Sequence, residues 1–282
     1  MACRRRGVVS LTAAAVILAL LLLMSPSPTL SFSKYETPDQ CSWSADNETG
    51  SGRMSVLCRV RTLDGEGTNL SALQVEGTTR LRVGCSQVLL FESSLPPQAF
   101  HRLSQLEELI IEDCKILQLP PESFTGLRDL KRLSINTYNS EWGSGKSLEL
   151  APNSLYGLKE LQILDLADNN IRAFPEDVFC SLGNLQTLNL TRNRIRDASN
   201  LGYASKQPAY ETSSIPRDEC TGGLDVRALD VSWNQLQILR GDSGITRLRQ
   251  LRNYNICIYN ITNWPRFPGM PYPASLPSGY LI

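Results

Sequence analysis

The chain has 282 residues, with 28 basic and 28 acidic side chains, eight cysteines and a single histidine. Removing an N-terminal leader of residues 1–31 would take away three arginines and no acid, leaving 25 basic against 28 acidic groups. That balance argues against a nucleic-acid partner or a general binder of anionic membranes.

Arg4, Arg5 and Arg6 precede an apolar run from Val8 to Met24 and a small-residue stretch through Ser31. This is the three-part layout of a secretory signal peptide. The alternative is an uncleaved anchor, since the run approaches the length of a membrane span. Downstream of it, no second apolar run of about 18 residues occurs. Export agrees with the cysteines, which fit an oxidising compartment. It agrees also with sequons for N-glycosylation at Asn47, Asn69, Asn189 and Asn260. Asn189 is the informative one, because it lies between Leu188 and Leu190 and must point outward from a strand.

Residues 32–80 carry polar and glycine-rich sequence with little periodicity and read as a cap with one or two short strands. Cys41 and Cys58 lie in it, placed for a disulfide that closes the cap. From Leu81 the pattern changes. Leu161, Leu164, Leu166, Asn169 and Ile171 recur 24 residues later as Leu185, Leu188, Leu190, Asn193 and Ile195. This is the L-x-x-L-x-L-x-x-N-x-L spacing of the leucine-rich repeat. Each unit places a short strand on one side of a coil, with alternate residues inward, and returns along the other side. One coil cannot enclose its own leucines, so several must stack. The fold class expected is an α/β solenoid, a right-handed leucine-rich-repeat coil with a parallel concave β-sheet and an irregular convex side.

About six coils fill residues 81–252. The first contributes Leu81 and Val83, the second Leu106, Leu109 and Ile111, with Cys114 where Asn would stand. Cys85 and Cys114 follow the inward strand residues of these adjacent coils, and stacking would bring them close. The third has Leu130, Leu133 and Ile135, but Tyr138 at the Asn position and an insertion at 138–147, so a break in the Asn ladder is expected there. Phe100, Phe124, Leu155, Phe179 and Tyr203 hold one slot in successive coils and read as a core spine. A second insertion, 204–223, precedes Val226, Leu229, Val231, Asn234 and Leu236 of the sixth coil. Insertions of that length are often functional. Cys180 and Cys220 flank it and could staple it, although six cysteines allow fifteen pairings and Cys257 is left over. Residues 253–282, with five prolines between Pro265 and Pro277, read as a non-repeat, disordered tail.

Outward strand positions form the candidate ligand face: Glu108, Ile110 and Glu112, then Arg132 and Ser134, Ile163 and Asp165, Thr187 and Asn189, and Asp230. They mix charge with small polar groups, as a solvated face also would. Nothing suggests catalysis or a cofactor. No C-x-x-C pair exists for zinc, His101 has no nucleophile motif beside it, and no phosphate-binding glycine motif occurs.

The segments LRVGCSQVLLFESSLPPQAFHRL, LIIEDCKILQLPPESFTGLRDLKRLS and AFPEDVFCSLGNLQTLNLTRNRIRD, the insertion to Cys220, and LDVSWNQL resemble insect Toll-type receptor ectodomains. Within them the likeness is to the long Toll-related group of the 18-wheeler kind. It covers residues 35–252, and the placement of Cys85, Cys114, Cys180 and Cys220 makes it specific. The resemblance implies a membrane receptor that binds a secreted ligand of the cystine-knot type, or another leucine-rich-repeat ectodomain. It also implies signalling through a cytoplasmic TIR domain. The repeats, a membrane span and the TIR domain expected beyond this stretch do not follow in the sequence. The alternative is a secreted, non-signalling decoy or adhesion protein.

Overall fold

The computed structural model describes residues 40–45, 53–64, 77–87, 91–95, 98–137, 139, 145–176, 178–202, 225–237, 248 and 250–255. All belong to one compact unit, Glu36–Ile282. The leader, Asn47, Asn69, Tyr203, the insertion at 204–223 with Cys220, Cys257, Asn260 and the tail beyond Asn255 lie outside the described residues.

The strands in chain order are β1 (Cys41–Ala45), β2 (Met54–Arg59), β3 (Thr78–Gly84), β4 (Glu108–Glu112), β5 (Gln118–Leu119), β6 (Arg132–Asn136), β7 (Glu149–Leu150), β8 (Ile163–Asp165), β9 (Thr187–Asn189), β10 (Ala228–Asp230) and β11 (Asn253–Asn255). Nine form one sheet, ordered β1-β2-β3-β4-β6-β8-β9-β10-β11, and β5 pairs with β7 in a separate two-stranded ladder. From β2 onward every pairing in the large sheet is parallel. The protein is therefore a stacked solenoid in which each coil adds one strand.

Alternation explains the core. In β4 the residues Leu109 and Ile111 are fully buried while Glu108, Ile110 and Glu112 between them are only partly so. The same pattern runs through β6, β8, β9 and β10. Leu81, Leu109, Leu133, Leu164, Leu188 and Leu229 stand opposite one another in register. On the return limb, Phe100, Phe124, Leu155 and Phe179 are all buried, with Phe100 and Phe124 stacked at 6.2 Å between ring centroids. Each such side chain contributes about 1.5–3 kcal/mol by leaving water.

Helix among the described residues is confined to a 3-10 turn, Ala198–Leu201. Asp197 caps it by accepting from Ser199 N at 2.9 Å, and Gly202 closes it at φ 77°. A Cβ on Gly202 would fall 2.7 Å from Val178 Cγ1, so only glycine fits. Gly126, at φ 102°, likewise lets its coil lie against the backbone of His101, where a Cβ would meet Cα and O at 2.8 Å.

At both ends the array extends past the limits read from the sequence. β2, inside the presumed cap, is already parallel to β3, with Val56 opposite Leu81 and Cys58 opposite Val83. The antiparallel β1–β2 hairpin carries the Cys41–Cys58 disulfide. At the other end, residues 253–255 are not tail but strand: β11 pairs with β10, placing Tyr254 opposite Leu229. Buried Leu248 and Leu251 anchor this coil, and Tyr254 packs partly against the core in the place of a leucine.

The asparagine ladder bonds the coils to one another. Asn193 donates through Nδ2 to Leu166 O at 2.9 Å and accepts at Oδ1 from Asn169 N and Ile171 N, at 3.2 and 2.9 Å. Asn234 repeats this one coil on, donating to Leu190 O at 2.8 Å and accepting from Ile195 N at 3.0 Å. The third coil does not break the ladder. Thr137 donates both N and Oγ1 to Asn169 Oδ1, at 2.8 and 2.6 Å, and buried Asn139 donates to Ile116 O at 3.1 Å.

Candidate protein-binding face

All ten residues of the candidate face stand at outward strand positions: Glu108, Ile110 and Glu112 on β4, Arg132 and Ser134 on β6, Ile163 and Asp165 on β8, Thr187 and Asn189 on β9, Asp230 on β10. Parallel register sorts them into rows. One row runs Arg80, Glu108, Arg132, Ile163, Thr187, Ala228, Asn253. The next runs Arg82, Ile110, Ser134, Asp165, Asn189, Asp230, Asn255.

Over β3, β4 and β6 the face is a set of charged stripes. Glu108 lies between Arg80 and Arg132, at 3.6 and 3.4 Å. Glu107 lies between Arg53 and Lys131, at 3.6 and 3.2 Å. Glu112 reaches across Gly84 to take two bonds from Arg82, Nε at 2.8 Å and Nη2 at 2.6 Å. That bidentate bond holds the Arg82 guanidinium above its ordinary pKa. Sequence reading missed Arg53, Arg80 and Arg82, although the alternation Leu81-Arg82-Val83 already pointed Arg82 outward.

Over β8, β9 and β10 the face is built differently. Asp165, Asn189 and Asp230 each accept from the backbone N two residues on, at 3.0, 3.1 and 2.9 Å. These are Asx turns that carry the chain out of each strand.

Two disulfides join described cysteines, Cys41–Cys58 and Cys85–Cys114. Cys180 is also disulfide-bonded, and because the other described cysteines pair among themselves, its partner lies outside the described residues. Disulfides of this kind belong to an extracellular or secretory setting. Beside Cys114, Lys115 is buried, donates to Ser86 O at 3.0 Å, and has its pKa lowered by burial. His101 stays on the surface, its Nδ1 2.8 Å from Gln98 O. Among the described residues no cluster suited to a metal ion occurs, and no helix is long and apolar enough to cross a membrane.

A nine-stranded sheet built one strand per coil, over an inward leucine ladder, defines a leucine-rich-repeat solenoid with an extended outward face. Residues 144–195 and 105–127 each match the leucine-rich repeat family. The chain is similar in sequence to Toll-like receptors. It is 42% identical over 224 residues to Toll-like receptor 7 of Drosophila melanogaster, covering 79% of this chain and 15% of that protein. It is 31% identical over 203 residues to Toll-like receptor 7 of Mus musculus, covering 64% of this chain and 18% of the relative. It is 30% identical over 139 residues to epiphycan of Gallus gallus, covering 44% and 43%. The chain thus spans less than a fifth of the length of either receptor.

Proposed function

We propose that this chain is the N-terminal part of a Toll-type receptor ectodomain of the Toll-related group. Its concave sheet binds a secreted protein ligand, of the cystine-knot type that the resemblance implies, or another leucine-rich-repeat ectodomain, in innate immune or developmental signalling. The observation that carries this is the register-aligned row of outward residues on a rigid sheet, to which stacked coils give the extended surface that protein partners use. In the same reading the candidate face holds the ten residues named above, Cys180 pairs with Cys220, and the sequons at Asn47, Asn69, Asn189 and Asn260 carry glycans.

The test is a binding screen of the full chain, secreted from insect cells, against secreted proteins and leucine-rich-repeat ectodomains. A saturable partner is expected, and reversing charge with Arg80→Glu and Arg132→Glu should weaken it at least tenfold. No partner at all, or one indifferent to substitutions on this face, overturns the proposal.

A further inference from the structure

One sequon stands on the concave sheet itself, and its geometry bears on which part of the sheet a protein partner can reach. Asn189, half-buried on β9, lies in one register row between Asp165 of β8 and Asp230 of β10. Its Oδ1 accepts from Thr191 N at 3.1 Å and from Thr191 Oγ1 at 2.9 Å. The oxygen is thereby fixed, and Nδ2, the atom to which an N-linked sugar attaches, is left without an acceptor among the described residues and is not sealed in the core.

The fold does not require asparagine here. Asp230 makes the same two bonds to Ser232, N at 2.9 Å and Oγ at 2.7 Å, and Asp165 accepts from Ala167 N at 3.0 Å. A side-chain oxygen is all the turn needs, and aspartate supplies it in both flanking coils. Only the middle coil of the three has the amide, and there the hydroxyl two residues on completes Asn-Leu-Thr.

We propose that Asn189 carries an N-linked glycan that covers β8, β9 and β10 and so narrows the ten-residue candidate face, for a protein partner, to Glu108, Ile110, Glu112, Arg132 and Ser134 with the outward residues of β3 beside them. This rests on the reading of the concave sheet as the binding face. Neighbouring strands are about 4.8 Å apart, so Asp165 and Asp230 lie directly beside the attachment point, beneath a bulky, solvated group. The half left open sets Arg53, Arg80, Arg82, Lys131 and Arg132 among Glu107, Glu108 and Glu112. With five cations to three carboxylates it fits an acidic protein surface.

The test compares the full chain secreted from insect cells as wild type, Asn189→Asp and Thr191→Ser. Aspartate keeps the turn oxygen and removes the sequon, whereas serine keeps both hydroxyl and sequon, so folding is retained in each. Glycopeptide mass spectrometry should find residue 189 occupied in the wild type and in Thr191→Ser, and unmodified in Asn189→Asp. Antibody fragments selected on Asn189→Asp are then sorted by their sensitivity to Asp165→Lys and Asp230→Lys, or to Arg80→Glu and Arg132→Glu. The first group should lose at least a hundredfold on the wild type and regain it after enzymatic removal of the glycan; the second should bind both forms equally. Polyglutamate, as an acidic probe, should bind wild type and Asn189→Asp alike, and at least tenfold more weakly after Arg80→Glu with Arg132→Glu. An unoccupied Asn189, or equal access to both halves, overturns the shielding. Polyglutamate binding that ignores those arginines overturns the acidic partner. Absence of any natural partner would overturn the binding reading while leaving the glycan result standing.

Discussion

The two ends of the sheet join their coils through the same slot by different chemistry. In the second coil that slot holds Cys114, tied covalently to Cys85 of the coil before. In later coils it holds Asn169, Asn193 and Asn234, each bonded to the backbone of the preceding coil. The outward faces differ in parallel: charged stripes over β3, β4 and β6, Asx turns over β8, β9 and β10. A covalent tie tolerates water at the edge but answers to redox conditions. A buried amide ladder ignores redox conditions and depends on every rung staying dry. Because each coil contacts only its neighbours, the two halves should respond separately to damage.

The largest effect should come from the packing inside the disulfide-tied half. Phe124 is fully buried and stacks on Phe100, in the return limb that leads from the second coil into the third. Phe124→Ala should cost roughly 3–5 kcal/mol through lost burial and the cavity left behind. Denaturant unfolding followed by hydrogen exchange should then show β3 and β4 opening before β9 and β10. A single cooperative transition with uniform exchange would mean the halves are not separable.

Removing the Cys85–Cys114 bond by double substitution to serine comes next. It closes a loop across a separation of 29 residues. Its loss should cost roughly 3–4 kcal/mol on the chain-entropy account. Exchange should quicken in β3 and β4 and stay unchanged in β9 and β10. Equal loss of protection at both ends would refute the division.

Much of this was legible beforehand, and the omissions have physical causes. Inward leucines at period two inside a period of 24 are imposed by burial, so Leu164, Leu166, Leu188 and Leu190 could be placed from spacing alone. β11 was not, because Tyr254 fills a leucine slot, although Leu251-x-x-Tyr254 keeps the spacing of Val226-x-x-Leu229. β2 was expected only as a short strand of the cap; its parallel place in the repeat sheet was hidden, since its inward residues are Val56 and Cys58 and carry no leucine signal. The third coil looked interrupted because Tyr138 held the expected position, yet Thr137 and Asn139 on either side carry the bonds. Cross-strand ion pairs such as Arg82–Glu112 depend on register between residues far apart in sequence, which no local pattern reveals.

The ladder itself gives a smaller prediction. Asn193→Ala would strand the buried N–H groups of Asn169 and Ile171 and the carbonyl of Leu166. The cost is expected at about 1–3 kcal/mol, the penalty for leaving a buried polar group unpaired. Exchange should rise first at Ile171, with β3 and β4 unaffected. Protection lost at β3 instead would show that the amide rungs support the whole array.

The smallest effect concerns charge rather than packing, and it belongs to the disulfide-tied end. Lys115 follows Cys114 in the chain, is buried, and has a pKa lowered from 10.5 by that burial, against which Asp113 acts in the opposite sense. The unfolded chain therefore holds this proton more tightly than the native one. Stability then rises with pH between the lowered native value and 10.5, and the penalty of burying the charge is present in full only below that window. Lys115→Met removes the titration along with the bond to Ser86 O. The stability of the wild type relative to Lys115→Met should climb as pH rises toward 10.5, by no more than about 1.4 kcal/mol per pH unit, the limit for a single proton. Asn193→Ala, compared in the same way, should give a difference that does not vary with pH, because no titrating group is removed. Denaturant midpoints of the three proteins across neutral to alkaline pH measure both slopes, and a flat Lys115→Met difference would show that this lysine is solvated in the folded chain.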